Sequence, residues 1–247
     1  MNQYLSSVSL KSLAKGQLLG KYGTVIGAFM LQLICTLPIS MAISFSIGTN
    51  SLLRIIFFSF AVFLYSVFSG YFIAGQAYIY LKLSCNQTPL ISDLFHFFKE
   101  DPSKILGIQA VLAGVSVVVS LPALIAGHYM NSSSITASDA LPNAPLLLLF
   151  AVLYIAASVI DIFVRRILFS QIFYLMLDFP DYSVSQLLKM SIQLIKGSKG
   201  RLLYLLISFI PLILLGVFSF GIAFLWLYPY MQATYANFYL DLVKKKK

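Results

Sequence analysis

Five stretches of the chain carry no Asp, Glu, Lys or Arg: residues 22–53, 55–81, 105–138, 140–160 and 202–240. A helix needs about 20 apolar residues to cross about 30 Å of hydrocarbon. Each stretch meets that length, so the chain is built to dissolve in a bilayer. Hydrophobic residues make up 60% of the 247 and charged residues 10%, with a mean hydropathy of +0.89. Soluble domains run at about 45–50% apolar and about 25% charged. With 14 Gly, 9 Pro and 2 Cys, collagen and disulfide scaffolds are excluded as well. The expected fold class is all-α, a polytopic membrane protein.

Polar breaks divide the stretches into spans. Gly48-Thr49-Asn50-Ser51 separates 23–47 from 52–80, and Asn131-Ser132-Ser133-Ser134 closes 105–130. The fourth span runs 145–164, after Pro142 and Pro145, with an extension to 178 left open. The last stretch holds 39 residues, about 58 Å as one helix and too long for one crossing. A break between Gly216 and Gly221 gives two short spans, 202–216 and 220–240. The reading is one integral membrane domain over 1–247, with six transmembrane helices paired as three hairpins.

Seventeen Lys and Arg against eight Asp and Glu give a net charge of +9. In a soluble chain that excess would suggest nucleic acid; here it reports orientation. With the amino terminus inside, every basic residue but Arg54 falls on the cytoplasmic side of six spans. Both termini are therefore expected in the cytoplasm. No removable signal peptide is expected, because the apolar run after residue 22 exceeds an h-region of about 7–15 residues. Cys35 and Cys85 are expected as free thiols, with no metal spacing between them.

A threefold pattern runs through the chain. A short amphipathic segment precedes each pair of spans. In the first, Leu10, Leu13, Ala14 and Leu18 share a face, with Lys11 and Lys15 on another. The second starts at Ser92 as N-cap and groups Leu94, Phe97 and Phe98 against Asp93, His96 and Glu100. In the third, starting at Ser183 or Ser185, Leu188, Ile192 and Ile195 line up, with Lys189 and Lys196 elsewhere. Such helices are expected in the headgroup region, apolar face down, with Lys11, Lys15, Lys189, Lys196 and Lys199 near anionic lipid. The tail Lys244, Lys245, Lys246 and Lys247 is expected on the same surface or on an acidic partner. The even-numbered spans end alike, in Gly75-Gln76-Ala77-Tyr78, Ser170-Gln171-Ile172-Phe173 and Met231-Gln232-Ala233-Thr234-Tyr235. Three repeats explain this, as does the ordinary gathering of Tyr and polar residues at a membrane boundary.

No catalytic constellation accompanies these features. The two histidines, His96 and His128, lie far apart, and no metal, phosphate-loop or nucleophile motif occurs. Neither enzyme activity nor a cofactor is expected. The acids Asp93, Glu100, Asp101, Asp178, Asp181 and Asp241 read as solvated caps and local pairs. Asp161, Arg165 and Arg166 are the informative charges. Asp161 and Arg165 are four apart and can pair on one helix face. If the span ends at 164, they mark the inner interface. If Gln171 sits at the depth of Gln76 and Gln232, they fall inside the bundle, where charges face a polar cavity or a partner. Gln32, Gln76, Gln109, Gln171 and Gln232 either line a path or bond between helices. Trp226, Tyr228, Tyr230, Tyr235, Phe238 and Tyr239 read as an aromatic belt at the cytoplasmic boundary.

Several segments carry a resemblance: Tyr80-Leu81-Lys82-Leu83 with Ser92-Asp93-Leu94-Phe95, Lys189-Met190-Ser191 through Gly197-Ser198-Lys199, and Phe224-Leu225-Trp226-Leu227-Tyr228-Pro229-Tyr230 continuing to Asn237-Phe238-Tyr239. On them the chain resembles an uncharacterised bacterial integral membrane family, domain of unknown function 975. It departs at Ser84-Cys85-Asn86-Gln87 and at Pro211. The resemblance implies a bacterial cell membrane and supplies no activity. The expected function is a non-enzymatic accessory component that binds membrane lipids or a protein partner and no nucleic acid. The alternative is a small transporter or flippase with a polar path around Asp161, Arg165 and Arg166.

Overall fold

The computed structural model describes residues 4–45, 52–132 and 144–246, and these are all-helical. The expected breaks at 48–51 and 133–134, and Lys247, lie outside the described residues, as do the side chains of Arg54, His128 and Lys246. In chain order the helices are α1 (Ser7–Leu18), α2 (Tyr22–Phe45), α3 (Leu52–Ser84), α4 (His96–Lys99, entered through a 3-10 turn Ile91–Phe95), α5 (Pro102–Ser132) and α6 (Ala144–Phe163). They continue as α7 (Ile172–Asp178), α8 (Val184–Ile195), α9 (Lys199–Ile207), α10 (Ile210–Phe218) and α11 (Phe224–Lys246).

Five helical units are long and apolar enough to cross a membrane: Tyr22–Ser44, Ile56–Ser84, Pro102–Ala126, Ala144–Asp178 and Lys199–Phe218. Two of them are broken. After Phe163 the backbone makes a π-helical turn over Val164–Leu168, which carries Arg165 and Arg166, before α7 resumes at Ile172. The α-helix ends at Phe163, close to the expected 164, and residues Ile172–Asp178 form a separate helix within the same membrane-length unit. Likewise 202–216 is two pieces. The chain breaks at Ser208 and Phe209 just ahead of Pro211, which starts α10 rather than interrupting a helix.

α11 is 23 residues long but carries Gln232, Thr234, Asn237 and Asp241, so it is less apolar than the five. It packs against α1, α2, α3, α8 and α10. Its Ala233, Ala236, Phe238, Tyr239 and Leu242 are buried, which makes it the central helix of the bundle. The aromatic residues expected as a boundary belt are therefore mostly interior. Tyr239 stacks on Tyr174 at 5.2 Å and Tyr228 on Phe29 at 4.1 Å, while Trp226 alone of the six is exposed.

The three amphipathic segments pack on protein, not with their apolar faces free for lipid. α1 buries Leu10, Ala14 and Leu18 and packs on α11. The Ile91–Lys99 segment buries Leu94 and Phe97 and packs on α3, and α8 buries Leu187, Leu194 and Ile195 and packs on α7. Each lies against a helix that carries one Gln–aromatic sequence or directly follows it, and the first segment closes onto the last helix. Two details differ from expectation. The 3-10 turn begins at Ile91, because the Asp93 carboxylate accepts from Leu90 N at 2.8 Å, so Ser92 is not the cap. The buried face of α8 runs Leu187, Ser191, Leu194 and Ile195, leaving Ile192 40% exposed. α1 and α8 share their boundaries: Ser6 and Ser183 cap their starts. Gly20 and Gly197 end them at φ +75° and +86°, the left-handed position that glycine takes without a Cβ penalty.

Candidate functional site

The packing of α3, α5 and α6 brings Asp161 and Arg165 to two serines. Arg165, on the π turn, donates from Nε to Asp161 Oδ1 at 3.1 Å and from Nη2 to Ser116 Oγ at 2.6 Å. Nη2 also reaches Leu112 O and Ser66 Oγ, each at 3.4 Å, and Ser116 Oγ donates to Asp161. The pair predicted from the four-residue spacing thus forms, and a serine from each of α3 and α5 joins it. Ser66 lies 14 residues after Leu52, where α3 starts, and Ser116 lies 16 residues before Ser132, where α5 ends.

Beside this cluster lies a cavity of about 330 Å³. That is the small end of the range for ligand pockets, about 300–1,000 Å³. It collects residues from seven elements: Gln32 of α2, Gln76 of α3, Gln109 of α5, Arg165 and Arg166 of the π turn, Tyr174 of α7, Leu202 of α9, and Tyr228, Gln232 and Tyr235 of α11. Its floor is buried and polar. Gln76 and Gln109 are each 1% exposed. Both amide atoms of Gln76, Oε1 of Gln32 and Gln109, and the Tyr235 hydroxyl have no hydrogen-bond partner among the described residues. Gln232 bonds to Tyr228. Buried polar groups are normally satisfied, so several unsatisfied ones converging on one space mark a place shaped for something else to bond.

The two arginines differ. Arg165 is neutralised by Asp161. Arg166 is exposed, has no carboxylate within ion-pair distance among the described residues, and acts electrostatically on Tyr228 and Tyr235. It stands at the open edge of the cavity, with the amides at the closed end. Of the expected polar residues, Gln76, Gln232, Arg165 and Arg166 line this space directly, and Asp161 stands behind Arg165. Gln171 is fully buried alongside, with Nε2 donating to the lining Ser170 at 3.0 Å and Oε1 unpaired. Ser116, Tyr228 and Tyr235 were not picked out as site residues from the sequence. Their spacing carried the signal: Ser116 is seven residues after Gln109, and Tyr228 and Tyr235 flank Gln232 at four and three, so each shares its face.

The basic residues expected on the membrane surface divide. Lys15, Lys189, Lys196, Lys199 and Lys244 are exposed. Lys11 instead lies over the Phe209 ring at 4.1 Å and donates to Ser208 O at 2.9 Å. Burial, and then the Lys15 charge, pull its ammonium below the ordinary lysine value. Lys245 sits 4.6 Å over Tyr4. Glu100, Asp101, Asp178 and Asp181 are exposed as expected, whereas Asp93 is partly covered and Asp241 buried. Asp241, 5% exposed, accepts from Arg201 at 2.8 Å and from Leu5 N at 3.3 Å. Asp93 pairs with Lys82 at 2.8 Å, and Tyr239 donates to Asp178. Both cysteines are free, Cys85 exposed and Cys35 partly covered.

Residues 1–246 match the family described as Protein of unknown function (DUF975). No curated protein and no solved structure matches the chain.

Proposed function

The chain belongs to the DUF975 family, which assigns no activity, and from that premise we propose a function carried by the cavity alone. The protein is a non-enzymatic component of the bacterial plasma membrane that binds the polar end of an amphiphile within the bilayer. The observation that carries this reading is the set of buried, unpartnered polar atoms, both amide atoms of Gln76 and Oε1 of Gln32 and Gln109, on residues that line one space with the exposed Arg166. Leaving such groups unpaired costs about 1–3 kcal/mol each. A ligand recovers that cost.

The reading includes six crossings with both termini cytoplasmic. α11, at 23 residues, is about 34 Å long and sufficient to span. It runs back along α9 and α10: Arg201 meets Asp241 at one end, and Gly216 abuts Phe224 at the other. Six crossings also keep all basic residues but Arg54, Arg165 and Arg166 at the cytoplasmic surface. Ser66 lies 14 residues from the Leu52 end of α3 and Ser116 16 residues from the Ser132 end of α5. The Asp161–Arg165 pair they hold is therefore about 21–24 Å from those ends, which favours the cytoplasmic half of a bilayer about 30 Å thick. This supports the deeper of the two placements, with the cavity in the cytoplasmic half. The exposed Lys15, Lys189, Lys196, Lys199 and Lys244 then meet anionic headgroups at the cytoplasmic surface, each contributing about 1 kcal/mol before screening.

Native mass spectrometry of protein released from mild detergent tests the reading. The expected result is one retained amphiphile per chain, displaced when Ala77, which lines the cavity, is enlarged to Phe. A lipid-free chain, or an amphiphile indifferent to Ala77→Phe, overturns it. A second reading, a small transporter or flippase, is favoured by the Asp161–Arg165 pair, which extends the polar path beyond the cavity. Movement of a fluorescent lipid between leaflets of proteoliposomes, lost in Asp161→Asn, distinguishes it.

A further inference from the structure

The charge and donor count of the cavity specifies its ligand more narrowly than an amphiphile, on the premise that the cavity is a binding site. Two cations line it and one is cancelled: Arg165 holds Asp161 at 3.1 Å, while Arg166 has no acid among the described residues. The site therefore carries one unbalanced positive charge. A bound group with a single negative charge balances it. A doubly charged group leaves a net charge in a medium of low dielectric, and a headgroup with its own ammonium sets like charges beside Arg166. The polar groups are also arranged in depth. At the closed end stand Gln76 and Gln109, both 1% exposed, whose amides both donate and accept. At the open edge stands Arg166, a guanidinium whose fork suits phosphate oxygens.

The outward faces of α6 and α10 are apolar and exposed, with Val159, Ile160 and Ile162 on α6 and Leu214 and Leu215 on α10. Acyl chains lie against such faces in a bilayer.

We propose that the cavity takes the headgroup of an anionic phosphodiester lipid whose headgroup carries hydroxyls. The hydroxyls bond the amides of Gln76 and Gln109, the phosphodiester rests on Arg166, and the acyl chains leave into the bilayer. The order head, phosphate, chain matches the order of buried amide, exposed guanidinium and apolar surroundings.

The test titrates the detergent-solubilised full chain with phosphatidylglycerol, phosphatidylcholine and phosphatidic acid, and reads bound lipid by native mass spectrometry. Glycerophosphoglycerol, the same headgroup without chains, is a fourth arm. The expected result is one phosphatidylglycerol bound at least about tenfold more tightly than the other two lipids, with glycerophosphoglycerol a poor competitor. Arg166→Gln removes that preference, and Arg166→Lys restores part of it. An unchanged melting temperature in Arg166→Gln excludes misfolding as the cause. A preference for phosphatidylglycerol that survives Arg166→Gln overturns the inference while leaving the binding cavity intact, provided that Gln76→Leu still abolishes binding. Equal competition by glycerophosphoglycerol overturns the membrane source of the ligand. No lipid bound in a Gln76-dependent manner overturns the cavity reading itself.

Discussion

Gln76 is 1% exposed, and neither its Oε1 nor its Nε2 has a hydrogen-bond partner among the described residues. Leucine has a similar volume and no polar atom, so Gln76→Leu removes two unsatisfied groups at little packing cost. Each such group costs about 1–3 kcal/mol, part of which water in a polar cavity offsets. The net expectation is a gain of about 1–3 kcal/mol, or a rise of about 2–12 °C in melting temperature for a chain of this length. Function is lost as stability is gained, as happens where a site is held in a strained or unsatisfied state. Gln17 supplies the control. Its Nε2 donates to Asn237 Oδ1 at 3.2 Å and to Ser84 O at 3.3 Å, and its Oε1 accepts from Asn237 Nδ2 at 2.7 Å. Gln17→Leu leaves Oδ1 of Asn237, itself 6% exposed, without its donor, although Nδ2 still bonds Ala233 O, and lowers stability by about 1–3 kcal/mol. Thermal unfolding of both variants in one detergent, followed by near-UV circular dichroism, compares the two signs. If Gln76→Leu melts as early as Gln17→Leu, Gln76 is a structural hydrogen-bonding residue and the reasoning fails.

Three further outcomes follow from the packing. Asp241→Asn leaves the half-covered Arg201 guanidinium without its charge partner. It should cost about 2–4 kcal/mol in thermal unfolding, and the double variant Arg201→Met/Asp241→Leu should recover most of that. Gly75→Ala places a Cβ 2.8 Å from the Leu94 carbonyl carbon. Because the obstacle is backbone, it should destabilise by about 1–3 kcal/mol and make the Ile91–Lys99 segment sensitive to limited proteolysis. A membrane-impermeant maleimide should label the exposed Cys85 in inside-out vesicles and not in intact cells, while Cys35, on α2, stays protected in both.

The helical spans were legible because a run of about 20 residues without charge has one outcome in a bilayer. The ion pair at 161 and 165 was legible because helix geometry alone brings those positions together. Where α8 turns its face was not: Leu188 and Ile192 look as apolar as Leu187 and Leu194, and only packing on α7 chooses between the rows. The solvated reading of Asp241 failed for a related reason. Its partners Arg201 and Leu5 stand 40 and 236 residues away in sequence, so no local spacing could announce them. The convergence of Gln32, Gln76 and Gln109 depends on how three different helices rotate. Sequence supplied the residues; only the bundle brought them to one wall.

A density map of the protein in a lipid nanodisc tests the central claim most directly. The account predicts an ordered amphiphile with its polar end between Gln76 and Gln109, its anionic group on Arg166, and its chain running into the bilayer. A bundle closed over that space, with Gln32, Gln76 and Gln109 bonded to one another, would contradict it.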